Sequence, residues 1–313
     1  MKYCFGVDIG GTTVKMGLFT TEGDLLDKWE IKTRTENGGE AILPDIARSL
    51  QEKMEEKKIK ELQMSGIGVG VPAPVGSDGI VKNTANLGWG YKEVKKELEE
   101  LTGQRVKVGN DANVAALGEM WLGAGKGQKN MVMVTLGTGV GGGVIINGKP
   151  VVGAHGAGGE IGPICVNEKE TISCGCGKQG CLEQYASATG IVRLAKERLA
   201  KDEAPSLLRE GEVSAKAVFD ALKEGDVVAE EIVKEFGQYL GHAMANVAVI
   251  VDPSVIVIGG GVSKAGEILL KYVEKAFKER EFFANAGTKF VLATLGNSHH
   301  KKYFQNWKDY SII

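Results

Sequence analysis

The segment from residue 151 to residue 187 decides how this chain is interpreted, because it reads GEIG at residues 159–162 and CGCGKQGCLE at residues 174–183. Glycine allows the backbone to approach another backbone or a ligand closely. Three cysteines within eight residues indicate a metal clip, with zinc as the metal that closely spaced thiolates commonly bind. Such a clip would hold Glu183 in a fixed place relative to Glu160. The segment therefore predicts a pocket that is held together by a bound metal and contains two carboxylates. Two carboxylates suit a ligand with several hydroxyls, because they accept hydrogen bonds from them.

The overall composition is that of an ordinary folded protein. The chain has 313 residues, 43% hydrophobic and 25% charged, which is enough for two domains. A net charge of −2 gives no indication of nucleic-acid or anionic-membrane binding. Neither a signal peptide nor a membrane-spanning run is recognisable in the sequence. Five cysteines in such a chain fit a reducing compartment, so we expect a cytoplasmic protein.

A strand, a turn of glycine and threonine, and a second strand occur twice, over residues 3–19 and 131–146. We interpret this recurrence as a distant internal duplication. The second copy is predicted to contain a glycine turn from Gly137 to Gly143. Apolar runs predict further strands at 25–32, 66–71, 106–108, 254–258 and 290–293, and helical periodicity predicts helices over 41–58, 92–101, 112–122, 188–199, 214–223, 227–251 and 264–280.

The two turns predict a nucleotide site without a P-loop. The GxGxxG match at Gly137–Gly142 is followed by a strand, whereas a dinucleotide site requires a helix there. Backbone N–H groups and hydroxyls of two such turns can converge on a triphosphate with Mg²⁺ between them. Ordinary hairpin turns are the alternative interpretation. The candidate nucleotide residues are Asp8 (to Mg²⁺ through water), Gly10, Gly11, Thr12, Thr13, Lys15, Gly137, Thr138, Gly139, Gly259, Gly260 and Gly261.

Three motifs carry a family resemblance. DIGGTTVK at residues 8–15, LGTGVGGG at 136–143 and IGGGV at 258–262 resemble the two phosphate segments and the adenosine segment of the actin-like ATPase superfamily. The cysteine stretch narrows the resemblance to the ROK family and, within it, to bacterial ATP-dependent glucokinases. The resemblance covers residues 3 to about 296. The cysteine motif is highly specific, whereas the phosphate motifs occur throughout the superfamily.

The resemblance implies an α/β protein with the two-domain actin-like ATPase (ribonuclease H-like) fold, an interdomain cleft and a small zinc-binding module. We expect a small N-terminal domain over residues 1–110 and a large C-terminal domain over residues 111–296. The tail at 297–313 is expected to join the first domain. That tail departs from the family pattern, since SHHKK and aromatic residues replace the usual Asp-Ala-Gly and small-residue helix.

The pair Asn110-Asp111 lies where a predicted strand ends and a helix begins. An aspartate there can cap the helix, and the helix end keeps its carboxylate ionised. By resemblance to the family's catalytic Asn-Asp pair, Asp111 is instead the general base and Asn110 binds sugar hydroxyls. Glu160 and Glu183 match the family's two sugar-binding glutamates. We also expect Ala73 and Asn86 to line the sugar site.

One metal ligand of the family is missing. The family pattern continues Glu-x-Gly-His, and that histidine binds zinc, but this chain has Pro163 at the position. Cys174, Cys176 and Cys181 remain as ligands. Tetrahedral zinc needs a fourth, for which Cys165 and water are the candidates.

The implied function is transfer of the γ-phosphate of ATP to the 6-hydroxyl of a hexose, with ATP, Mg²⁺ and structural zinc as cofactors. Glucose is the first choice, and N-acetylmannosamine, N-acetylglucosamine, fructose and allose are the alternatives. Two rivals differ in class: a ROK repressor, which would carry a helix-turn-helix before the first phosphate motif, and a sugar sensor without turnover. The family's homodimers or homotetramers are expected here, with no nucleic-acid or membrane partner.

Overall fold

The computed structural model describes residues 2–84 and 86–295. Within this range the chain forms two compact units. The first consists of the residues up to Leu122 together with Lys149–Gly158, and the second of Gly123–Gly148 and the residues from Gly159 onward. The helix that begins at Asp111 thus belongs to the first unit, whereas the predicted boundary lies before it. The expected contribution of residues 297–313 falls outside the described part of the chain.

The first unit is built on a five-stranded sheet in the order β3-β2-β1-β4-β5. Its first three strands form an antiparallel meander, and β4 and β5 extend it in parallel with β1. The strands are β1 (Tyr3–Ile9), β2 (Thr13–Thr20), β3 (Leu25–Lys32), β4 (Met64–Val71) and β5 (Val106–Asn110). The helices are α1 (Ile42–Glu56), α2 (Val94–Thr102) and α3 (Asp111–Leu122).

Burial in the first unit follows the sequence pattern. In α1, Ile42, Ile46 and Leu50 recur every fourth residue, and all three are buried. They belong to one apolar core with side chains from the central strands, among them Val7 of β1 and Val69 of β4. The central strands are apolar nearly throughout, as expected where both faces of a sheet are covered.

The second unit repeats the same strand pairing. Its strands follow the order β10-β9-β6-β7, with β6 and β7 antiparallel and with β9 parallel to both β6 and β10. The pattern β2-β1-β4-β5 of the first sheet thus recurs as β7-β6-β9-β10, as the predicted duplication requires. The strands of this unit are β6 (Met131–Leu136), β7 (Val140–Ile146), β9 (Val255–Gly259) and β10 (Lys289–Leu292); the two-residue strand β8 (Lys149–Pro150) lies in the segment that belongs to the first unit. The helices are α4 (Glu183–Ala186), α5 (Ala188–Leu199), α6 (Ala215–Lys223), α7 (Val227–Val251) and α8 (Glu267–Lys278).

Several predicted elements differ from the structure by a few residues at their ends, and glycine explains two of the larger differences. The predicted turn over Gly137–Gly143 ends early, because Gly141–Gly143 pair with β6 as part of β7. A Cβ on Gly142 would lie 2.4 Å from the Gly159 carbonyl oxygen, so glycine serves a close backbone contact there rather than a turn. The predicted helix 264–280 is divided at Gly266, whose φ of +87° separates a short 3-10 helix from α8.

Strand register places Asp8 and the end of β5, directly before Asp111, at one edge of the first sheet. Asp8 of β1 pairs with Gly70 of β4, and Gly70 pairs with Gly109 of β5. The carboxyl ends of three parallel strands therefore meet, which is the usual position of a ligand site in such sheets. None of the helices in the described ranges is both long enough and apolar enough to cross a membrane.

Candidate active site

Asn110 shapes the corner between β5 and α3. Its Oδ1 accepts hydrogen bonds from the backbone N–H groups of Ala112 (2.9 Å) and Asn113 (3.1 Å), which is the geometry of a helix N-cap. Its Nδ2 donates to the Ala73 carbonyl oxygen at 3.2 Å. The structure thus brings together Asn110 and Ala73, two of the candidate sugar-site residues. Because Oδ1 already accepts two bonds, Asn110 can serve a ligand mainly as a donor.

Asp111 is the first residue of α3 and is half-buried. Its Oδ1 accepts a hydrogen bond from the Ala112 N–H at 2.8 Å. The capping role considered for Asp111 is filled mainly by Asn110, which accepts both the Ala112 and the Asn113 N–H groups. The N-terminal end of a helix favours a negative charge, so this position suits a carboxylate.

Gly70 separates two carboxylate-bearing residues. A Cβ on Gly70 would lie 3.8 Å from the Asp111 Cα and 4.0 Å from Asp8 Oδ1. Asp8 and Asp111 therefore flank one glycine at the edge of the sheet, and a large side chain there would fill the space between them. Lys15 is the antiparallel partner of Asp8 on β2. Carboxylates in this setting can hold Mg²⁺ and accept a proton.

The first glycine-threonine turn, Gly10–Thr13, is fastened from outside by Thr33. Within the turn, the Gly10 N–H donates to the Thr13 carbonyl oxygen at 3.0 Å. The Thr33 hydroxyl donates to the Gly10 carbonyl oxygen at 2.6 Å, and the Thr33 N–H donates to the Thr12 carbonyl oxygen at 2.9 Å. Asn86, predicted for the sugar site, lies beside this turn, with its Cβ 3.2 Å from the position of a Cβ on Gly11.

The second turn, Gly137–Gly139, is fastened by the start of α5. The Gly137 N–H donates to the Gly139 carbonyl oxygen at 3.0 Å. From α5, the Ala188 N–H donates to the Gly137 carbonyl oxygen at 2.8 Å and the Thr189 hydroxyl donates to the Thr138 carbonyl oxygen at 2.9 Å.

The predicted adenosine segment lies next to the second turn. Gly260 has a φ of +87°, and a Cβ on it would lie 2.4 Å from the Leu136 carbonyl oxygen. Only glycine allows this approach, which sets the segment 259–261 against the last residue of β6. Two of the three predicted nucleotide segments are thus adjacent in the second unit.

Glu160 and Glu183 are close to one another in the second unit. Glu183 Oε2 accepts the Val140 N–H at 3.0 Å, and Oε1 accepts from the Cys174 thiol at 3.6 Å. A Cβ on Gly139 would lie 2.3 Å from Glu183 Oε2, so this carboxylate reaches the second turn. The pKa of Glu160 is raised, first by partial desolvation and then by the negative charge of Glu183. Paired carboxylates can accept hydrogen bonds from neighbouring hydroxyls of one ligand.

The cysteine module, residues 159–183, contains three converging thiols. The Sγ atoms of Cys174, Cys176 and Cys181 all lie within 4.8 Å of one another. Among the described residues, the Cys165 thiol is not part of this group, although its backbone bridges to Cys181. Three thiols fit three of the four positions of tetrahedral zinc, and Pro163 offers no fourth ligand. The donor set therefore fits a metal with one coordination position left to another group.

A polar network, which we call the Glu170 network, fastens the module to α5. Glu170 Oε2 accepts from the Tyr185 hydroxyl and from Arg193 Nη1, each at 2.6 Å. Asn167 Nδ2 donates to the Tyr185 oxygen at 2.8 Å, and Arg193 Nε donates to the Gln184 carbonyl oxygen at 3.3 Å. The hydrogen bonds that Glu170 accepts lower its pKa to about 2, the Tyr185 hydroxyl being the largest cause and the Ile172 N–H the next, with Arg193 adding to them. The network uses none of the thiols.

The fold and the paired turns define the class of protein. A hairpin turn repeated in two α/β units, with a glycine segment beside the second turn, is the arrangement predicted for an actin-like ATPase. The comparison with known proteins confirms this fold. The ROK family model matches residues 4–300, and the chain belongs to the ROK family.

Three relatives show how close the similarity is. A glucokinase from Halalkalibacterium halodurans is 45% identical over 302 residues, covering 95% of this chain and 92% of the relative. A glucokinase from Thermotoga maritima is 38% identical over 295 residues, covering 92% of this chain and 91% of the relative. The crystal structure of a ROK family glucokinase from Streptomyces griseus, in complex with glucose and AMPPNP, is 34% identical with a TM-score of 0.76 and covers 96% of this chain and 97% of its own.

Sequence reasoning misses the residues that support the predicted site residues without belonging to the motifs. Thr33 and Thr189 contact the two turns, and Glu170 and Arg193 hold the cysteine module, yet none of them stands in a recognisable motif. A threonine directly after a strand or in the first turn of a helix is too common to be a signal. The neighbouring residues His299 and His300 suggest either a metal site or, more simply, an exposed pair, and both lie outside the described part of the chain.

Proposed function

We propose that this protein is an ATP-dependent glucokinase, which transfers the γ-phosphate of ATP to the 6-hydroxyl of glucose. The observation that carries the proposal is the pair Asp8 and Asp111 on either side of Gly70, at the carboxyl edge of the first sheet. Similarity to glucokinases over nearly the whole chain supports the same activity. We retain glucose ahead of other hexoses on that similarity, and cytoplasmic location and oligomerisation stay predictions.

In this proposal Asp111 is the general base. As the sugar hydroxyl attacks the γ-phosphorus, Asp111 accepts the hydroxyl proton, a role that depends more on position than on a shifted pKa. The hydrogen bond from the Ala112 N–H holds the carboxylate. Asn110 Nδ2 donates to a sugar hydroxyl, while Glu160 and Glu183 accept hydrogen bonds from others. Ala73 and Asn86 line the same side of the sugar.

The two turns bind the triphosphate of the Mg²⁺–ATP substrate. Backbone N–H groups of Gly10–Thr13 and Gly137–Gly139, with the threonine hydroxyls, donate to phosphate oxygens. Asp8 holds Mg²⁺ through water, and the segment 259–261 supports the adenosine. Zinc, bound by Cys174, Cys176 and Cys181, would supply a structural cross-link in the cysteine module and no step of the reaction.

The test is ATP-dependent phosphorylation across a panel of hexoses, with Asp111→Asn as the control variant. We expect turnover with glucose, reduced by about 10²- to 10⁴-fold in the variant, because that is the usual contribution of a general base. The variant keeps the size of the side chain and one oxygen that can accept the Ala112 N–H, but its amide cannot take up the proton. Turnover with N-acetylmannosamine, N-acetylglucosamine, fructose or allose but not with glucose would change the assigned substrate and leave the proposed mechanism in place.

A wild-type protein that binds glucose and ATP but phosphorylates no hexose would overturn the proposal. That result would favour the sugar-sensor alternative, for which Pro163 in place of the family histidine is the specific observation. Sugar binding measured by calorimetry separates a sensor from a misfolded protein.

A further inference from the structure

The two phosphate turns share an arrangement that their own sequences do not reveal. In each, a threonine from a distant segment donates its hydroxyl to a carbonyl oxygen of the turn: Thr33 to Gly10 at 2.6 Å, and Thr189 to Thr138 at 2.9 Å. In each, a backbone N–H of the same segment holds a second turn carbonyl, from Thr33 in the first unit and from Ala188 in the second. Unrelated elements, the end of β3 and the start of α5, thus make the same pair of contacts.

These contacts fix the direction of the neighbouring N–H groups. A trans peptide is planar, so its carbonyl and its N–H point to opposite sides. When Thr33 holds the Gly10 carbonyl, the Gly11 N–H is directed away from Thr33. When Thr189 holds the Thr138 carbonyl, the Gly139 N–H is directed away from α5. A turn whose N–H groups point away from the residues that hold its carbonyls can present those N–H groups to an anion.

Both hydroxyls are themselves held in place. Thr33 is only 4% exposed, so its hydroxyl has little access to water and its bond to Gly10 is protected. Thr189 is exposed, but its oxygen lies 2.9 Å from the hydroxyl of Ser187, which is fully buried and caps α5 by accepting the Gly190 N–H. Each threonine is therefore a fixed donor rather than a freely rotating one.

We propose that Thr33 and Thr189 are positioning residues for the nucleotide, each orienting one glycine-threonine turn so that its N–H groups are presented to the triphosphate. This inference rests on the proposed kinase function. It assigns a role in ATP binding to two residues that do not belong to the phosphate motifs. The threonines act through the turns and do not touch the ligand.

The test compares three threonine-to-valine variants, in which a methyl group replaces the hydroxyl. Thr33→Val and Thr189→Val remove the two fastening bonds. Thr102→Val is the matched control, because the Thr102 hydroxyl also donates to a backbone carbonyl, that of Leu98 at 2.6 Å, but within α2. Each protein is titrated calorimetrically with a non-hydrolysable ATP analogue and Mg²⁺, and KM values for ATP and glucose are measured where there is turnover.

We expect the dissociation constant of the analogue to rise roughly five- to tenfold in Thr33→Val and in Thr189→Val, as for the loss of one hydrogen bond. KM for ATP should rise in parallel, whereas glucose binding and the Thr102→Val variant should stay within about twofold of wild type. Thr33→Ser and Thr189→Ser, which restore the hydroxyl, should restore nucleotide binding. If the valine substitutions merely destabilised the fold, the melting temperature would fall in all three variants and nucleotide binding would not be weakened selectively in Thr33→Val and Thr189→Val.

The outcomes distinguish this inference from the proposed function. If the wild type binds the analogue but phosphorylates no hexose, the kinase proposal fails while the valine comparison still decides the role of the threonines. Analogue binding unchanged in both test variants, or weakened equally in Thr102→Val, would overturn the inference alone. A wild type that does not bind the analogue would overturn both.

Discussion

The corner around Asp111 and the cysteine module each present carboxylates, but they are held in different ways. At the corner, parallel strand pairing fixes β5, and one side chain, Asn110, caps the helix that begins with Asp111. The cysteine module has almost no regular structure, and it depends on the Glu170 network, on its thiols and on tight backbone contacts. Regular elements therefore supply the position of Asp111, whereas a few individual residues supply that of Glu183.

The largest difference is expected between two glycine-to-alanine variants. Gly180, in the module, has a φ of +72°, and a Cβ on it would lie 2.0 Å from the Asn167 carbonyl oxygen. Gly180→Ala should therefore lose about 3 kcal/mol of stability, from backbone strain and overpacking together. Gly70→Ala, at the corner, makes only ordinary contacts of 3.8–4.0 Å. Its stability should stay within about 0.5 kcal/mol of wild type.

Urea unfolding measures both stabilities, and turnover separates the two roles further. The methyl group of Gly70→Ala would stand between Asp8 and Asp111, so we expect lower turnover in a stable protein. Equal losses of stability in the two variants would contradict the difference proposed between the two regions, since the corner would then depend on its glycine as much as the module does.

A smaller effect is expected from the Glu170 network. The Glu170 side chain is 9% exposed, and its carboxylate accepts short hydrogen bonds from the Tyr185 hydroxyl and from the charged Arg193 guanidinium. Glu170→Gln should therefore lower the free energy of unfolding by about 2 kcal/mol. The matched control is Glu231→Gln, because Glu231 pairs with Arg198 but its side chain is 48% exposed. That variant should lose at most about 0.5 kcal/mol. Chemical denaturation at pH 7 compares the two directly.

The contribution of Glu170 also has a defined pH dependence. Its pKa is lowered from 4.5 to about 2, so the folded state favours the ionised carboxylate. The stabilisation is complete above the unfolded pKa and is lost as the pH falls from about 4.5 towards 2. The difference between wild type and Glu170→Gln should therefore be constant from pH 7 to pH 5 and smaller at pH 3.5. A difference that grows on acidification would contradict the ionised state assigned to Glu170.

The metal site of the module gives a third comparison, between cysteines inside and outside the three-thiol group. Cys174→Ser should reduce the zinc content per chain, because its sulfur belongs to that group. Cys165→Ser should leave the zinc content unchanged, since the Cys165 thiol is not part of the group. Mass spectrometry of the purified proteins measures both. Zinc lost from Cys165→Ser would restore Cys165 as the fourth ligand.

How far the sequence predicts the structure depends on whether the stabilising contacts are local. The predicted bounds of α5 and α7 agree with the structure, because both helices are strongly periodic and begin at a capping residue, Ser187 or Asp226. The four-residue helix α4 was not predicted, since it is too short to show periodicity. Glycine misled the prediction at Gly141–Gly143, where it permits close sheet packing rather than a turn.

The same distinction applies to the site. Asp111 was recognisable from its place between a strand and a helix, and Glu160 and Glu183 from their glycine and cysteine surroundings, in each case together with the family resemblance; their roles stay predictions. Thr33 and Thr189 were not recognisable, because each contacts its turn across 23 or 51 residues of chain. Pairings of this kind depend on the tertiary fold and leave no pattern in the local sequence.

The smallest expected effect concerns the pKa of Glu160, which tests whether the module holds its two carboxylates together. Desolvation raises this pKa most, and the negative charge of Glu183 raises it further. In an NMR titration, Glu160 should therefore take up its proton at a higher pH than an ordinary glutamate. Glu183→Gln should lower the pKa of Glu160 only in part, because the larger cause, desolvation, remains. A pKa that returns fully to the ordinary value would make charge repulsion the main cause, and an unchanged pKa would show that the two carboxylates are farther apart than the module places them.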